Sequence, residues 1–179
     1  GDESLDVRRS VANHLNDITK DHPNWVVDRL QGWDFHDERL CWIAKHACRT
    51  LIKRGDPRAL QLFGFAEGAD VDATLTASPR SLSLGQRLVI SAAVTSTSRK
   101  PQRLVIDYVI HYVKASGGSA AKVFKWTEAE LKAGEKLELS KSQVIRDFTT
   151  RKHYSGHHKL ELQINGQRVA SAAFDLSCA

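Results

Sequence analysis

The first residues that suggest chemistry lie along one line of a predicted amphipathic helix. Arg9, Asn13 and Asp17 are spaced four residues apart, so a helix over this stretch aligns a cation, an amide and a carboxylate. A carboxylate in such a line can stabilise developing positive charge, or orient a water molecule, at a bound nucleotide. The same spacing also fits a solvated helix face with one local ion pair, and the pattern alone leaves both interpretations open.

A second predicted helix, over residues 42–54, has a polar face on which no acidic residue occurs. This face combines an indole with four side chains that can carry positive charge: Trp42, Lys45, His46, Arg49 and Lys53. Such a combination suits phosphate contacts together with base stacking. The alternative is structural, because a cation such as Lys53 near a helix C-terminus also interacts favourably with the helix dipole.

The third concentration of polar groups is the predicted loop 146–158, which is rich in cations and imidazoles. Its Arg151 and Lys152 are candidate contacts to a nucleic-acid groove or backbone. Its histidines, His153, His157 and His158, have no suitably spaced carboxylate or cysteine, so no metal site is predicted. The sequence has no Gly-rich phosphate loop and no GxSxG or HExxH motif, and no cofactor is expected.

Charge and cysteine content narrow the class of protein. The formal net charge of +5 comes entirely from residues 66–179, because residues 1–65 carry equal numbers of acidic and basic side chains. This excess indicates either an anionic partner or simply a basic surface. Cysteine occurs at an odd number of positions without a CxxC pair, which favours neither zinc nor disulfides and suits a reducing cytoplasm: Cys41, Cys48 and Cys178. No apolar stretch is long enough for a membrane span.

The elements that position the first two faces are predicted helices with a repeated order. A helix over residues 5–20 has a single apolar stripe, formed by Val7, Val11, Leu15 and Ile18. A turn closed by Pro23 and a second helix follow, and the same order recurs around Pro57. The two prolines are 34 residues apart, which is typical of two-helix solenoid repeats.

After Gly64 the periodicity changes from that of helices to that of strands. Alternating patterns predict strands within 73–94 and over 104–113, 122–127, 135–145, 158–164 and 168–176. Asn165-Gly166 predicts a two-residue hairpin between the last two. About seven short strands indicate an immunoglobulin-like sandwich, with His158 where a tyrosine corner would stand. We therefore predict two domains, residues 1–66 and 70–179.

The helical motifs resemble those of a known family, the AlkC-type DNA glycosylases, which are relatives of AlkD. The resemblance lies in Arg-Ser-Val-Ala-Asn-His-Leu-Asn-Asp-Ile (9–18), Lys-Asp-His-Pro (20–23) and Trp-Ile-x-x-His-Ala-x-Arg-Thr-Leu-x-Lys-x-Gly-Asp-Pro-Arg-Ala-Leu (42–60). It implies all-α HEAT-like repeats followed by an all-β immunoglobulin-like sandwich, as the C-terminal part of such an enzyme. The implied activity is excision of N-alkylated purines of the 3-methyladenine type from duplex DNA in the bacterial cytoplasm.

The resemblance also assigns roles to the candidate residues. Asp17 is the only acidic residue of the matching motif and is therefore the expected catalytic carboxylate. The expected DNA contacts are Arg9, Asn13, Trp42, Lys45, His46, Arg49, Lys53, Arg151 and Lys152. We expect a monomer without an obligate protein partner. The competing hypothesis is a non-catalytic scaffold, in which the helices bind a protein or DNA and the sandwich is an adaptor.

Overall fold

A computed structural model describes residues 2–149 and 152–178 of the chain. The chain divides into two compact units, Gly1–Glu67 and Gly68–Ala179. The described part of the first unit is helical, and that of the second consists of strands. No helix among the described residues is long and apolar enough to cross a membrane.

Short polar caps define the helices of the first unit. In its described residues the helices are α1 (Leu5–Ile18), α2 (Pro23–Gln31), α3 (Glu38–Ala47), α4 (Arg49–Arg54) and α5 (Pro57–Leu62). The side chains of Ser4, Asp37 and Asp56 accept hydrogen bonds from the first backbone N–H groups of α1, α3 and α5. Pro23 and Pro57 stand at helix starts, where the missing N–H costs nothing.

The prediction of an all-α HEAT-like repeat region is wrong. Of the described residues, 26% are helical and 43% lie in strands, and the helices are short. The helix predicted over 42–54 ends at Ala47 and restarts at Arg49, because Cys48 adopts a non-helical conformation. Helices α4 and α5 have six residues each. Such short, interrupted helices do not form the regular long pairs that the sequence pattern indicated.

The buried face of α1 also differs from its predicted apolar stripe. Val7 and Val11 are 44% and 41% exposed. The buried side instead contains Ala12 and Asn16, and Asn16 is only 4% exposed. Its Oδ1 accepts hydrogen bonds from the Thr50 hydroxyl at 2.9 Å and the Thr50 backbone N–H at 3.4 Å. A small residue and a satisfied amide thus replace valines at the α1 contact with its neighbours.

The second unit is a sandwich of two sheets. Its described strands are β1 (Val71–Ser78), β2 (Ser81–Ser83), β3 (Arg87–Ser96), β4 (Gln102–Val113), β5 (Ser119–Leu131), β6 (Lys136–Val144), β7 (Gly156–Ile164) and β8 (Gln167–Ser177). One sheet has the order β1-β3-β6 and the other β2-β8-β7-β4-β5, with β2 parallel to β8 and the other pairs antiparallel. One buried cluster joins the sheets, with members such as Ile90, Ile110 and Leu162.

The turn and the corner that the sequence predicts near the last two strands are present. Asn165 and Gly166 both have positive φ, 46° and 81°, as a two-residue I′ turn requires. His158 is fully buried and stacks on Phe174, with ring centroids 5.0 Å apart. Its Nε2 lies 3.0 Å from the carbonyl oxygen of Tyr154. The imidazole therefore makes the bond to upstream backbone that a corner tyrosine makes in related sandwiches.

A charged cluster lies around Glu161 on β7. This side chain is 12% exposed, and its oxygens lie 2.6 Å from His111 Nε2, 2.7 Å from Lys159 Nζ and 3.2 Å from Arg168 Nε. Burial alone would raise the pKa of Glu161, but hydrogen bonds from Lys159 and His111, together with their charges, bring it down to about 2. The cluster therefore joins β4, β7 and β8 through a carboxylate that is ionised at neutral pH.

Candidate nucleic-acid interface

The polar faces of α1 and α3 meet through a hydrogen bond between side chains far apart in the sequence. Asn13 Oδ1 lies 3.2 Å from His46 Nε2. The His46 ring also stacks on Trp42, with centroids 5.0 Å apart and an interplanar angle of 7°. Three residues that the sequence assigned to separate helix faces thus form one continuous surface of the helical unit.

Asp17 lies on the same side of α1, one helical turn beyond Asn13. Its carboxylate is exposed and accepts a 2.7 Å hydrogen bond from Lys20. This bond and the charge of Lys20, followed by the charges of Arg49 and His14, hold the pKa of Asp17 below its ordinary value. The carboxylate is therefore ionised at neutral pH, and only one flexible lysine is bonded to it in the described structure.

Arg49 acts on both this carboxylate and the imidazole, and Arg9 acts on the imidazole. Arg49 donates a 2.7 Å hydrogen bond to the backbone oxygen of His46, and Arg9 lies 3.4 Å from Asp6. Burial lowers the pKa of His46, and the charges of Arg49 and Arg9 lower it further. The lowered pKa favours the neutral form of His46.

The break at Cys48 divides the remaining candidates of the second face. Lys45 lies on α3 with Trp42 and His46, whereas Lys53 lies on the separate helix α4. Both lysines are half-buried. The cationic face is thus shared between two short helices.

Arg8 is a member of this surface that the sequence analysis missed. Its guanidinium carbon lies 5.7 Å from the centroid of the Trp42 ring, a cation–π distance. Its Nε is buried and has no hydrogen-bond partner among the described residues. The doublet Arg8-Arg9 was visible in the sequence, but only the packing of α1 shows which arginine contacts the indole.

The sandwich contains the remaining candidates, Arg151 and Lys152. Lys152 is exposed and lines a cavity of about 460 Å³ together with Tyr112, Lys114, Lys122 and Tyr154. Lys114 and Lys122 were not singled out in the sequence, because Lys114 follows β4 and Lys122 lies on β5, outside the basic loop. Arg151 lies outside the described residues.

The three histidines of this region have separate partners. His153 Nδ1 lies 3.2 Å from Asp147, His157 Nδ1 lies 2.8 Å from Asp175, and His158 contacts backbone. Among the described residues, no three His, Cys, Asp or Glu side chains are grouped so as to hold a metal ion. These imidazoles organise the loop and the strand that follows it.

Comparison with solved structures gives a match over nearly the whole chain. The alkylpurine DNA glycosylase AlkC of Pseudomonas fluorescens, solved bound to DNA that contains an abasic site analogue, is 49% identical with a TM-score of 0.94. The match covers 99% of this chain and 50% of AlkC. A β-glucosidase of Erythrobacter marinus, 18% identical with a TM-score of 0.51, covers 60% of this chain and 16% of its own and shows a shared fold alone.

Comparison with other sequences gives the family. The uncharacterised protein YhaZ of Bacillus subtilis is 42% identical over 176 residues, which are 98% of this chain and 49% of YhaZ. The chain thus spans about half the length of both YhaZ and AlkC. The family described as "Uncharacterised protein YhaZ, C-terminal Ig-like domain" matches residues 71–178 and confirms the predicted immunoglobulin-like domain. By this match the chain belongs to the YhaZ C-terminal Ig-like domain family.

Proposed function

We propose that this chain supplies DNA-binding and catalytic residues to a DNA repair glycosylase that excises N-alkylated purines, of the 3-methyladenine type, from duplex DNA. The observation that carries the proposal is the match to AlkC at 49% identity over 99% of this chain. Because the chain spans half of AlkC, we assign the complete activity to a protein of AlkC's length. Residues 1–66 and 70–179 are proposed as two of its domains, and it acts as a monomer in the bacterial cytoplasm.

The proposed chemistry depends on Asp17. Alkylation leaves a purine with positive charge, and breaking its bond to C1′ transfers positive charge to the sugar. A nearby carboxylate stabilises that developing charge, provided that it is ionised and can reach the nucleotide. Asp17 meets both conditions, because its pKa is lowered and its side chain is exposed. No metal or organic cofactor is required for this step.

The proposed DNA grip surrounds this carboxylate. Arg9 and Arg49 supply charge for phosphates on either side of Asn13 and His46, and Lys45 and Lys53 extend the basic surface. Trp42 contributes an aromatic surface, and Arg151 and Lys152 are the proposed contacts from the sandwich. Neutralisation of phosphates by such cations releases counterions from the DNA. The affinity for DNA must therefore fall as the salt concentration rises.

A salt titration of the 179-residue chain with duplex DNA tests this proposal. We expect binding at low salt whose logarithmic association constant falls linearly with the logarithm of the salt concentration. A variant in which Arg9 and Arg49 are both changed to Gln tests whether these two cations cause the salt dependence. Wild-type binding that is absent at low salt, or that does not respond to salt, would contradict the proposal.

One observation favours the competing function, a non-catalytic scaffold. Helix α1 exposes the aliphatic side chains of Leu5, Val7 and Val11, each by about 40%. Apolar side chains of this kind are typical anchors in protein interfaces, whereas DNA contacts are mostly polar. Changing Val7 and Val11 together to Ser distinguishes the two, since a scaffold loses partner binding while salt-dependent DNA binding remains.

A further inference from the structure

The imidazole of His46 is held by two different contacts. Asn13 Oδ1 lies 3.2 Å from its Nε2, and its ring lies flat against Trp42 at a centroid distance of 5.0 Å. Arg8 also lies over the indole, with its guanidinium carbon 5.7 Å from the ring centroid. A ring held by a stack and a hydrogen bond has one orientation rather than a set of rotamers.

The hydrogen bond assigns the proton of the ring. An amide oxygen only accepts, so the nitrogen that faces it must carry hydrogen. Nε2 is therefore the protonated nitrogen, and in a neutral ring Nδ1 is an acceptor.

The charges around the ring favour its neutral form. Arg9 on α1 and Arg49 on α4 are the charged groups that act on it, and both oppose a second positive charge. The nearest catalytic candidate, Asp17, is bonded to Lys20 rather than to the imidazole. Burial acts in the same direction, so the pKa of His46 is lowered.

We propose that Asn13 is a positioning residue that holds His46 as an Nε2-protonated imidazole, with Nδ1 left to accept a hydrogen bond from a base N–H group of bound DNA. The identity of the ligand rests on the proposed function, whereas the state of the ring does not. His46 then reads a donor group of the nucleic acid instead of contacting a phosphate. Asn13 acts on the DNA only through His46. The stack on Trp42 holds the imidazole ring parallel to the indole.

Nitrogen-15 NMR of the 179-residue chain without DNA tests the state of the ring. The signals of His46 are identified by their loss in His46→Gln. We expect Nε2 to have the shift of a protonated nitrogen and Nδ1 that of an acceptor at pH 7, with a detectable Nε2-bound proton. In Asn13→Ala we expect loss of that proton signal and shifts averaged between tautomers. A proton on Nδ1 in the wild type, or an unchanged spectrum in Asn13→Ala, would overturn the proposal.

The variant Asn13→Asp separates positioning from simple packing. A carboxylate retains an acceptor for Nε2 but adds negative charge beside it, so we expect the pKa of His46 to rise by about one unit. The matched control is Asn24→Asp, which adds the same charge at an exposed asparagine whose Oδ1 accepts a hydrogen bond from Arg58 at 3.0 Å, and we expect it to leave the pKa of His46 unchanged. An unchanged pKa of His46 in Asn13→Asp would show that residue 13 does not face the imidazole and would overturn the proposal.

DNA binding tests the ligand part of the proposal. We expect His46→Gln and Asn13→Ala to weaken duplex binding by about threefold to tenfold without changing its salt slope, because neither residue contacts a phosphate. A slope reduced by about one in His46→Gln would show a phosphate contact and overturn the assignment. Absence of DNA binding by the wild type would refute the proposed function and the ligand, whereas the NMR result tests the tautomer independently.

Discussion

The two units treat their acidic side chains in opposite ways. Asp17 in the helical unit is exposed, and Lys20, three residues further along the chain and just past the end of α1, is bonded to it. Glu161 in the sandwich is 12% exposed and is bonded to His111, Lys159 and Arg168 from three strands. Both have a lowered pKa, so the pKa alone does not distinguish them. The two carboxylates are distinguished by their exposure and by whether their partners come from the same segment or from several strands.

The histidines show the same contrast. His158 is fully buried, stacked on Phe174 and bonded to backbone, whereas His46 is half-buried and bonded to an exposed side chain. A group that stabilises a fold has its partners fixed by the backbone. A group that binds a ligand retains partners that the ligand can replace. Four predictions test this distinction.

The largest expected effect is on catalysis. In a protein of AlkC's length, Asp17→Asn is expected to slow release of a methylated purine by on the order of 10²-fold, because the neutral amide no longer stabilises the cationic sugar. DNA affinity stays near the wild-type value, since Asp17 contacts no phosphate. The measurement is single-turnover release of 3-methyladenine. The control is Asp28→Asn, which changes another exposed aspartate that is paired with a basic side chain, Arg58. Unaltered excision in Asp17→Asn would locate the chemistry elsewhere.

The second prediction concerns stability. Glu161→Gln is expected to lower the free energy of unfolding of the sandwich by about 2 kcal/mol, because it leaves three basic side chains of the cluster without their carboxylate. Urea unfolding measures the change. Glu138→Gln removes an exposed carboxylate that is paired with Lys136 and is expected to leave stability unchanged. Equal stability of the two variants would show that the Glu161 cluster contributes no more than an exposed ion pair.

The third prediction concerns binding. Lys45→Ala and Arg49→Ala are each expected to weaken duplex DNA binding by about tenfold at low salt, independently of sequence, and to reduce the salt slope by about one. Lys136→Ala, which removes an exposed lysine of the sandwich, is the control and is expected to have little effect. A full salt slope in Arg49→Ala would exclude it as a phosphate contact.

The smallest effect is a dependence of sandwich stability on pH. Burial lowers the pKa of folded His158 below the ordinary 6.5, and nearby His153 and His157 lower it further, although its bond to Tyr154 opposes this. The unfolded chain therefore binds a proton first as the pH falls, so stability decreases below about pH 6.5. The carboxylate of Glu161 contributes in the same direction only below about pH 4.5, as the unfolded chain protonates. Unfolding measured between pH 5 and 7 reports the contribution of His158 without that of Glu161. In this range His158→Gln should make the stability of the sandwich less dependent on pH.

Local sequence determined much of the sandwich. Strand alternation gave the elements of the second unit, and Asn165-Gly166 specified its turn because both positions require positive φ. The proximity of Asn13 and Asp17 also followed from helical spacing. Kinship with AlkD and the catalytic role of Asp17 remain proposals.

Tertiary contacts decided the features that the sequence pattern misassigned. Asn16 Oδ1 bonds the Thr50 N–H, one of the groups that a new helix leaves without an internal partner, and so supports the start of α4 after Cys48. Asn16 is buried at this contact, whereas Val7 and Val11 are exposed. The partners are 34 residues apart, and local periodicity contains no information about such pairs. The sequence supplied the polar groups Asn13, Asp17 and His46, and helix packing decided which of them meet.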